Sequence, residues 1–273
     1  MTEVLLPFRT AGRRPALYCV HSASGSAYSY LPLAPLLPAD QPLYGLEAPG
    51  FEDPDDQPLR TVAELSQRYL QAIHAERPAE PICLLGWSFG GVIAYDLALR
   101  LAADGRPPRQ LIVIDSPVPP AGPLPAERLI RRRFLADLTG AAPFGEQRAL
   151  DRALAQRPVD EPAADTFAAL IRAGVLAAEF EGDLLAQRYA VFAANVAALH
   201  GYQPAGRYHG RMVALWAAES IAGMPAAEAD WSSWAPRARS QWLPGDHYSI
   251  WQDGLPALAE VINQALQSEP AMR

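Results

Sequence analysis

Short apolar runs alternate along the chain with longer stretches in which apolar residues return every three or four positions. The runs are Leu17 to His21, Leu43 to Leu46, Ile82 to Gly86, Leu111 to Ile114, Met212 to Trp216 and Ser240 to Leu243. Their length and β-branched content predict strands. The helical period predicts helices over Val62 to His74, Val92 to Ala103 and Leu255 to about Leu266. Alternation of this kind builds an α/β domain, with a mostly parallel central sheet and helices on both faces. It breaks between 117 and 207, where no strand signal occurs. Ile130, Phe134 and Leu138 recur every four residues there, and Leu185, Tyr189, Phe192, Val196 and Leu199 at alternating four and three. These are amphipathic helices inserted between two core strands. An insertion at the C-terminal ends of strands is expected to form a lid over the functional face, offering Phe134, Phe167, Tyr189 and Phe192 as apolar contacts. Pro117, Pro119, Pro120, Gly122 and Pro123 mark one junction; Pro204 and Gly206 mark the other.

Composition narrows the choice of function. The 273 residues suit one large domain, and 50% apolar with 19% charged is ordinary for a folded protein. No apolar run is long enough to span a membrane, and the Arg residues of the first segment follow its apolar stretch rather than precede it, so a cytoplasmic location is expected. Cys19 and Cys83 lie inside strand-like runs, which favours buried thiols over a disulfide. Five scattered His and no Cys/His cluster give no metal site. A net charge of -7 argues against nucleic acid as a partner. All 23 basic residues are Arg, which excludes lysine chemistry.

The chemistry concentrates at Gly86-Trp87-Ser88-Phe89-Gly90, a Gly-x-Ser-x-Gly elbow between the strand ending near Gly86 and the helix beginning near Val92. That context places the serine on a tight strand-to-helix turn, exposed for nucleophilic attack, as in α/β hydrolases. A serine hydroxyl needs a base. His247, in Pro244-Gly-Asp-His-Tyr248, follows the last strand run and precedes the closing helix. His74 lies on a helix, His200 ends one, His209 precedes a strand and His21 comes too early. Three carboxylates compete to orient His247: Asp115 after the strand following the elbow, Glu219 after the next strand, and Asp246 beside the base. The first two keep the order Ser, acid, His. An oxyanion hole needs two backbone N–H donors. Phe89 supplies one, and Ala23, in the small-residue loop His21-Ser-Ala-Ser-Gly-Ser26, is the candidate for the other.

The segments Leu17-Tyr-Cys-Val-His-Ser-Ala-Ser-Gly25, Pro42-Leu-Tyr-Gly-Leu-Glu-Ala-Pro-Gly50, Gly86-Trp-Ser-Phe-Gly-Gly91 and Gly245-Asp-His-Tyr248 resemble the terminal (type I) thioesterase domains of nonribosomal peptide and polyketide synthases. The resemblance runs from about Leu5 to Leu266 and is weakest in the insertion; Ser22 stands where that family's loop usually has proline. It implies an α/β-hydrolase fold and favours Asp115 over Glu219. It also implies an acyl chain delivered by an acyl or peptidyl carrier protein, with phosphopantetheine arriving on the substrate and no cofactor of the domain's own. Residues 1–15 resemble the linker from an upstream carrier, leaving 16–273 as the thioesterase domain. A discrete type II editing thioesterase, a lipase or esterase acting on free esters, and a catalytically silent binding module are the rivals. Arg131-Arg132-Arg133 reads as a solvated helix face rather than a carrier-docking patch, and Asp115-Ser116 is rejected as a phosphopantetheine attachment pair because it ends a buried strand.

Overall fold

A computed structural model describes residues 4–77, 80–118, 123–140, 144–221 and 230–267. Seven strands form one sheet: β1 (Leu5–Arg9), β2 (Ala16–Val20), β3 (Leu43–Leu46), β4 (Ile82–Trp87), β5 (Gln110–Ile114), β6 (Met212–Ala217) and β7 (Arg239–Leu243). Their order is β1-β3-β2-β4-β5-β6-β7, with β1 antiparallel to β3 and every other pair parallel. The six expected strands are present, each within a residue or two of its expected ends.

Successive strand residues serve opposite faces of the sheet. Tyr18, Val20, Leu84, Leu111 and Val113 pack with α1 (Val62–Glu76) and α2 (Phe89–Ala103) on one side. Leu17, Cys19, Cys83, Leu85 and Ile112 pack on the other with α8 (Leu255–Gln267) and a 3-10 helix, Tyr28–Leu36. Both faces are covered, so the inner strands are apolar at nearly every position, the buried Gln110 of β5 being an exception. Cys19 and Cys83 are buried free thiols. Edge strand β7 is exposed at four of its five residues, which accounts for its polar sequence.

One boundary differs from expectation. The segment 1–15, expected as a linker outside the domain, contributes β1, which pairs Leu5 with Leu46 and Leu6 with Gly45. Val4 and Leu5 are buried.

Four helices, α3 (Glu127–Leu138), α4 (Phe144–Ala155), α5 (Ala163–Arg172) and α6 (Gly182–Gly201), lie between β5 and β6, where the insertion was expected. They carry a core of their own, built from Ile130, Phe134, Phe167, Leu185, Tyr189 and Phe192 among others. The last turns of α6 belong elsewhere: Ala198 and the following Tyr202 join the sheet core, and Tyr202 Oη donates to Asp96. Of the expected junction residues, 119–122 lie outside the described residues. Arg131 does not sit on a solvated face. It is buried, donating to Glu127, to Thr166 Oγ1 and to the Glu161 carbonyl, and so ties α3 to α5. The order continues with α7 (Ala218–Ile221) after β6. Among the described residues no helix is long and apolar enough to cross a membrane.

Candidate active site

The sheet order reverses direction between β2 and β4: the chain leaves β2 toward β3 and returns across it, through α1, to β4. A crevice opens at the C-terminal ends of strands at such a point. There the loop after β2 meets the turn after β4. Ser88 occupies that turn with φ 55° and ψ −129°, a conformation that costs a non-glycine residue on the order of 1–3 kcal/mol. It is held by its own N–H donating to the Ile114 carbonyl and its carbonyl accepting from Gly91. The flanking glycines are required by close approach. A Cβ at Gly86 would lie 2.1 Å from the Gly90 carbonyl oxygen, and one at Gly90 would lie 2.3 Å from the Val20 oxygen and 2.5 Å from the His21 oxygen. The elbow glycines therefore press the serine turn against the loop carrying Ala23.

Asp115 follows β5 and is also left-handed, at φ 43°. Its N–H donates to the Leu215 carbonyl, and its Oδ1 accepts from the Ala217 N–H, so β6 fixes both its backbone and its carboxylate. Its Oδ2 accepts from His247 Nδ1 at 2.5 Å. The carboxyl is 1% exposed and the imidazole 28%, so the acid is sealed while the base remains open to a substrate. An ionised carboxylate only accepts, so Nδ1 carries the proton and Nε2 of the neutral ring is the basic nitrogen. Neither of the two other candidate acids is hydrogen-bonded to His247 among the described residues, and each is placed differently. Glu219 is exposed, and its N–H donates to Gly245. Asp246 accepts from the N–H groups of Tyr248 and Ser249, which hold its carboxyl below the usual carboxylate range and shape the turn that presents His247.

Sequence reasoning missed the supports of these groups. The Trp87 ring lies against the imidazole of His247, centroids 4.8 Å apart, and against Trp251 at 5.6 Å, forming an aromatic floor under the base. Its identity within the elbow was visible, but its contact with a residue 160 positions away was not. Asn195 Nδ2 donates to the Ala23 carbonyl from α6, pinning the loop from above. The signal for that contact was an asparagine on an otherwise apolar helix stripe. His21 is fully buried with Nδ1 at 2.6 Å from the Ser22 carbonyl and Nε2 at 2.6 Å from Tyr69 Oη. A carbonyl cannot donate, so Nδ1–H does, and Nε2 accepts from the tyrosine. Burial pushes this imidazole down to about 4, so it is a neutral pin under the loop.

Phe89 opens α2, where a helix leaves its first N–H groups without an intrahelical acceptor and the macrodipole favours negative charge. Ala23 stands across from it, half-buried and packed against both the sheet core and the insertion. The four aromatics expected to meet a substrate contact one another instead. Phe134 lies 5.4, 5.5 and 5.6 Å from Phe167, Tyr189 and Phe192, and none of the four is more than 5% exposed. They form the insertion's own core.

Comparison with known proteins follows the same lines. The family model for the thioesterase domain matches residues 15–266. A non-reducing polyketide synthase of Pseudevernia furfuracea is 37% identical over 136 residues, covering 49% of this chain and 6% of the relative. A dimodular nonribosomal peptide synthase of Bacillus subtilis (strain 168) is 36% identical over 114 residues, 42% of this chain and 5% of the relative. The chain thus spans only a small part of the length of these relatives. Among solved structures, a four-domain nonribosomal peptide synthetase superposes with a TM-score of 0.82 at 21% identity over 98% of this chain and 20% of its own. The type II thioesterase BorB of the borrelidin cluster gives 0.71 at 20% over 97% and 98%, and the NocB thioesterase domain of the nocardicin cluster gives 0.63 at 25% over 94% and 96%. With its elbow, its Asp–His pair and its mostly parallel seven-stranded sheet, the chain belongs to the thioesterase domain family, as a thioesterase of the kind found with polyketide and nonribosomal peptide synthases.

Proposed function

We propose that this domain releases an acyl chain, peptide or polyketide, from the phosphopantetheine thioester of a carrier protein, through an ester on Ser88. The observation that carries the reading is the 2.5 Å bond from His247 Nδ1 to a sealed Asp115, at the end of the strand next to the elbow. Ser88 Oγ attacks the thioester carbonyl while His247 Nε2 takes its proton, and Asp115 stabilises the imidazolium that forms. The N–H groups of Phe89 and Ala23 stabilise the oxyanion. The thiol departs with the proton from His247, leaving acyl-Ser88. His247 then deprotonates water, which gives a linear acid, or an amine or hydroxyl of the acyl chain, which gives a ring.

Phe89 after the nucleophile and Asp115 after β5 favour terminal release from a carrier on the same polypeptide over editing of stalled carriers. The editing reading has one observation of its own, the superposition on a type II thioesterase along nearly its whole length. Carrier-bound substrates separate them. Terminal release predicts kcat/KM for a long acyl carrier thioester at least about tenfold above that for acetyl carrier and above that for a free aryl ester of the same acyl group. A preference for acetyl carrier would favour editing, and a preference for the aryl ester would overturn both.

A further inference from the structure

The end of helix α3 brings a second carboxylate to the base. Asp137 lies in its last turn and accepts from Tyr248 Oη at 3.4 Å, and Tyr248 is the neighbour of His247 in sequence, with rings 5.2 Å apart. This carboxylate is poorly compensated. It sits at a helix C-terminus, where the macrodipole opposes negative charge, and no basic residue occupies that turn. Arg133 is four positions earlier, the spacing of a helix ion pair. Yet Arg133 is exposed and Asp137 has no ion pair among the described residues. The neighbouring arginines are committed elsewhere, Arg131 to Glu127, Thr166 and Glu161, and Arg132 to Asp151. Burial holds the Asp137 carboxyl above the usual range, with the His247 ring and the Tyr248 hydroxyl acting the other way. A chain with 23 arginines thus places a half-buried carboxylate beside its base and, among the described residues, gives it no arginine partner.

We propose that Asp137 is a specificity-determining residue that receives a protonated amine of the acyl group, near the carbonyl held at Ser88. An ammonium there would supply the missing counter-charge, donate to the oxygen that Tyr248 leaves free, and bring α3 down onto the substrate. This rests on the thioesterase reading, and it selects within it the acyl chains that carry an amine close to the thioester.

The test compares isosteric pairs of N-acetylcysteamine thioesters, glycyl with propionyl and β-alanyl with butyryl, which differ by an ammonium in place of a methyl. Wild-type protein is expected to favour the ammonium member of at least one pair by about tenfold or more in kcat/KM, the scale of one charge-assisted hydrogen bond. Asp137→Asn, which keeps an acceptor for Tyr248 but removes the charge, should collapse that ratio to near one. A latch that only held α3 to the catalytic loop would lower both members together and leave the ratio unchanged, which would overturn the proposal, as would the absence of any preference in wild type. Binding of the same pairs to Ser88→Ala, measured by calorimetry with and without Asp137→Asn, should show the same ratio and its loss. Because this readout needs no turnover, it stands apart from the nucleophile assignment, whose failure would show as unchanged hydrolysis in Ser88→Ala.

Discussion

At the scale of single residues, the account turns on which carboxylate serves His247. Asp115 is sealed and bonded to His247 Nδ1, whereas Glu219 is exposed and, among the described residues, engaged only through its backbone. Asp115→Asn should lower kcat about 10⁴-fold by losing the correct tautomer and the imidazolium's counter-charge, while Glu219→Gln should change it little. Steady-state kinetics on one acyl thioester checks both, and a reversal would remove Asp115 from the site. The tight turn at Ser88 and the place of His247 after β7 were legible in the sequence because each is embedded in a local turn whose neighbours announce it. Asp115 was legible only as one of three, since what distinguishes it is the Ala217 N–H and the imidazole, groups more than 100 positions away. His21 shows a different kind of illegibility, because its role is burial itself. Its folded value of about 4 lies below the ordinary 6.5, so the unfolded chain binds the extra proton between those values. Its contribution is intact above about pH 6.5 and fades as pH falls toward 4, by about 3 kcal/mol in all at 1.36 kcal/mol per unit. Glu47 works oppositely: burial raises it to about 7, so its folded form keeps a proton that the unfolded chain loses, and stability drops as pH rises from about 4.5 to 7. The two slopes offset in wild type. Denaturant titrations from pH 4 to 7 on His21→Gln should therefore reveal stability that declines with rising pH; a profile parallel to wild type would contradict the assignment.

At the scale of elements, strands and helices with strong periodicity appeared where expected, and the differences have identifiable causes. The segment Leu5–Arg9 reads as part of a linker because it resembles one, yet it forms a strand whose proline and terminal Arg are tolerated on a sheet edge with one partner. Arg131 reads as solvated because three arginines in a row suggest a surface, while Thr166 and the Glu161 carbonyl that receive it come from beyond the next helix. The insertion's aromatics were correctly placed on the apolar stripes of their helices, but a stripe does not say whether it faces substrate or a neighbouring helix. Gln187 and Arg188 tie the first half of α6 to the carbonyls of Gly50 and Phe51. Helices α3, α4 and α5, whose Phe134 and Phe167 pack with Tyr189 and Phe192 in a core separate from the sheet, are expected to move as one unit. The end of α6 is not, since Ala198 and Tyr202 are built into the sheet core. Amide exchange followed by mass spectrometry should find α3 to α5 exchanging faster than β2, β4 and β5, with the end of α6 as slow as the sheet. Equal protection throughout would make the insertion a fixed layer rather than a lid.

At the scale of the whole molecule, the architecture converts a sheet into a site through its connectivity. The reversal of strand order between β2 and β4 sets the Ala23 loop against the Ser88 turn, β5 and β6 together hold Asp115, and the turn after β7 returns His247. The insertion closes over this edge with Asn195 on the loop and Asp137 beside the base. In the proposed reaction carrier and acyl chain converge on one hydroxyl, and the most direct measurement asks whether that hydroxyl becomes acylated. Mixing the protein with an acyl carrier thioester and recording intact-protein mass within the first turnover should show a mass increase equal to the acyl group, mapping to the peptide containing Ser88. Ser88→Ala should show no adduct and a turnover lower by about 10⁶-fold. An adduct on Ser88→Ala, or turnover that survives it, would contradict the account at its centre.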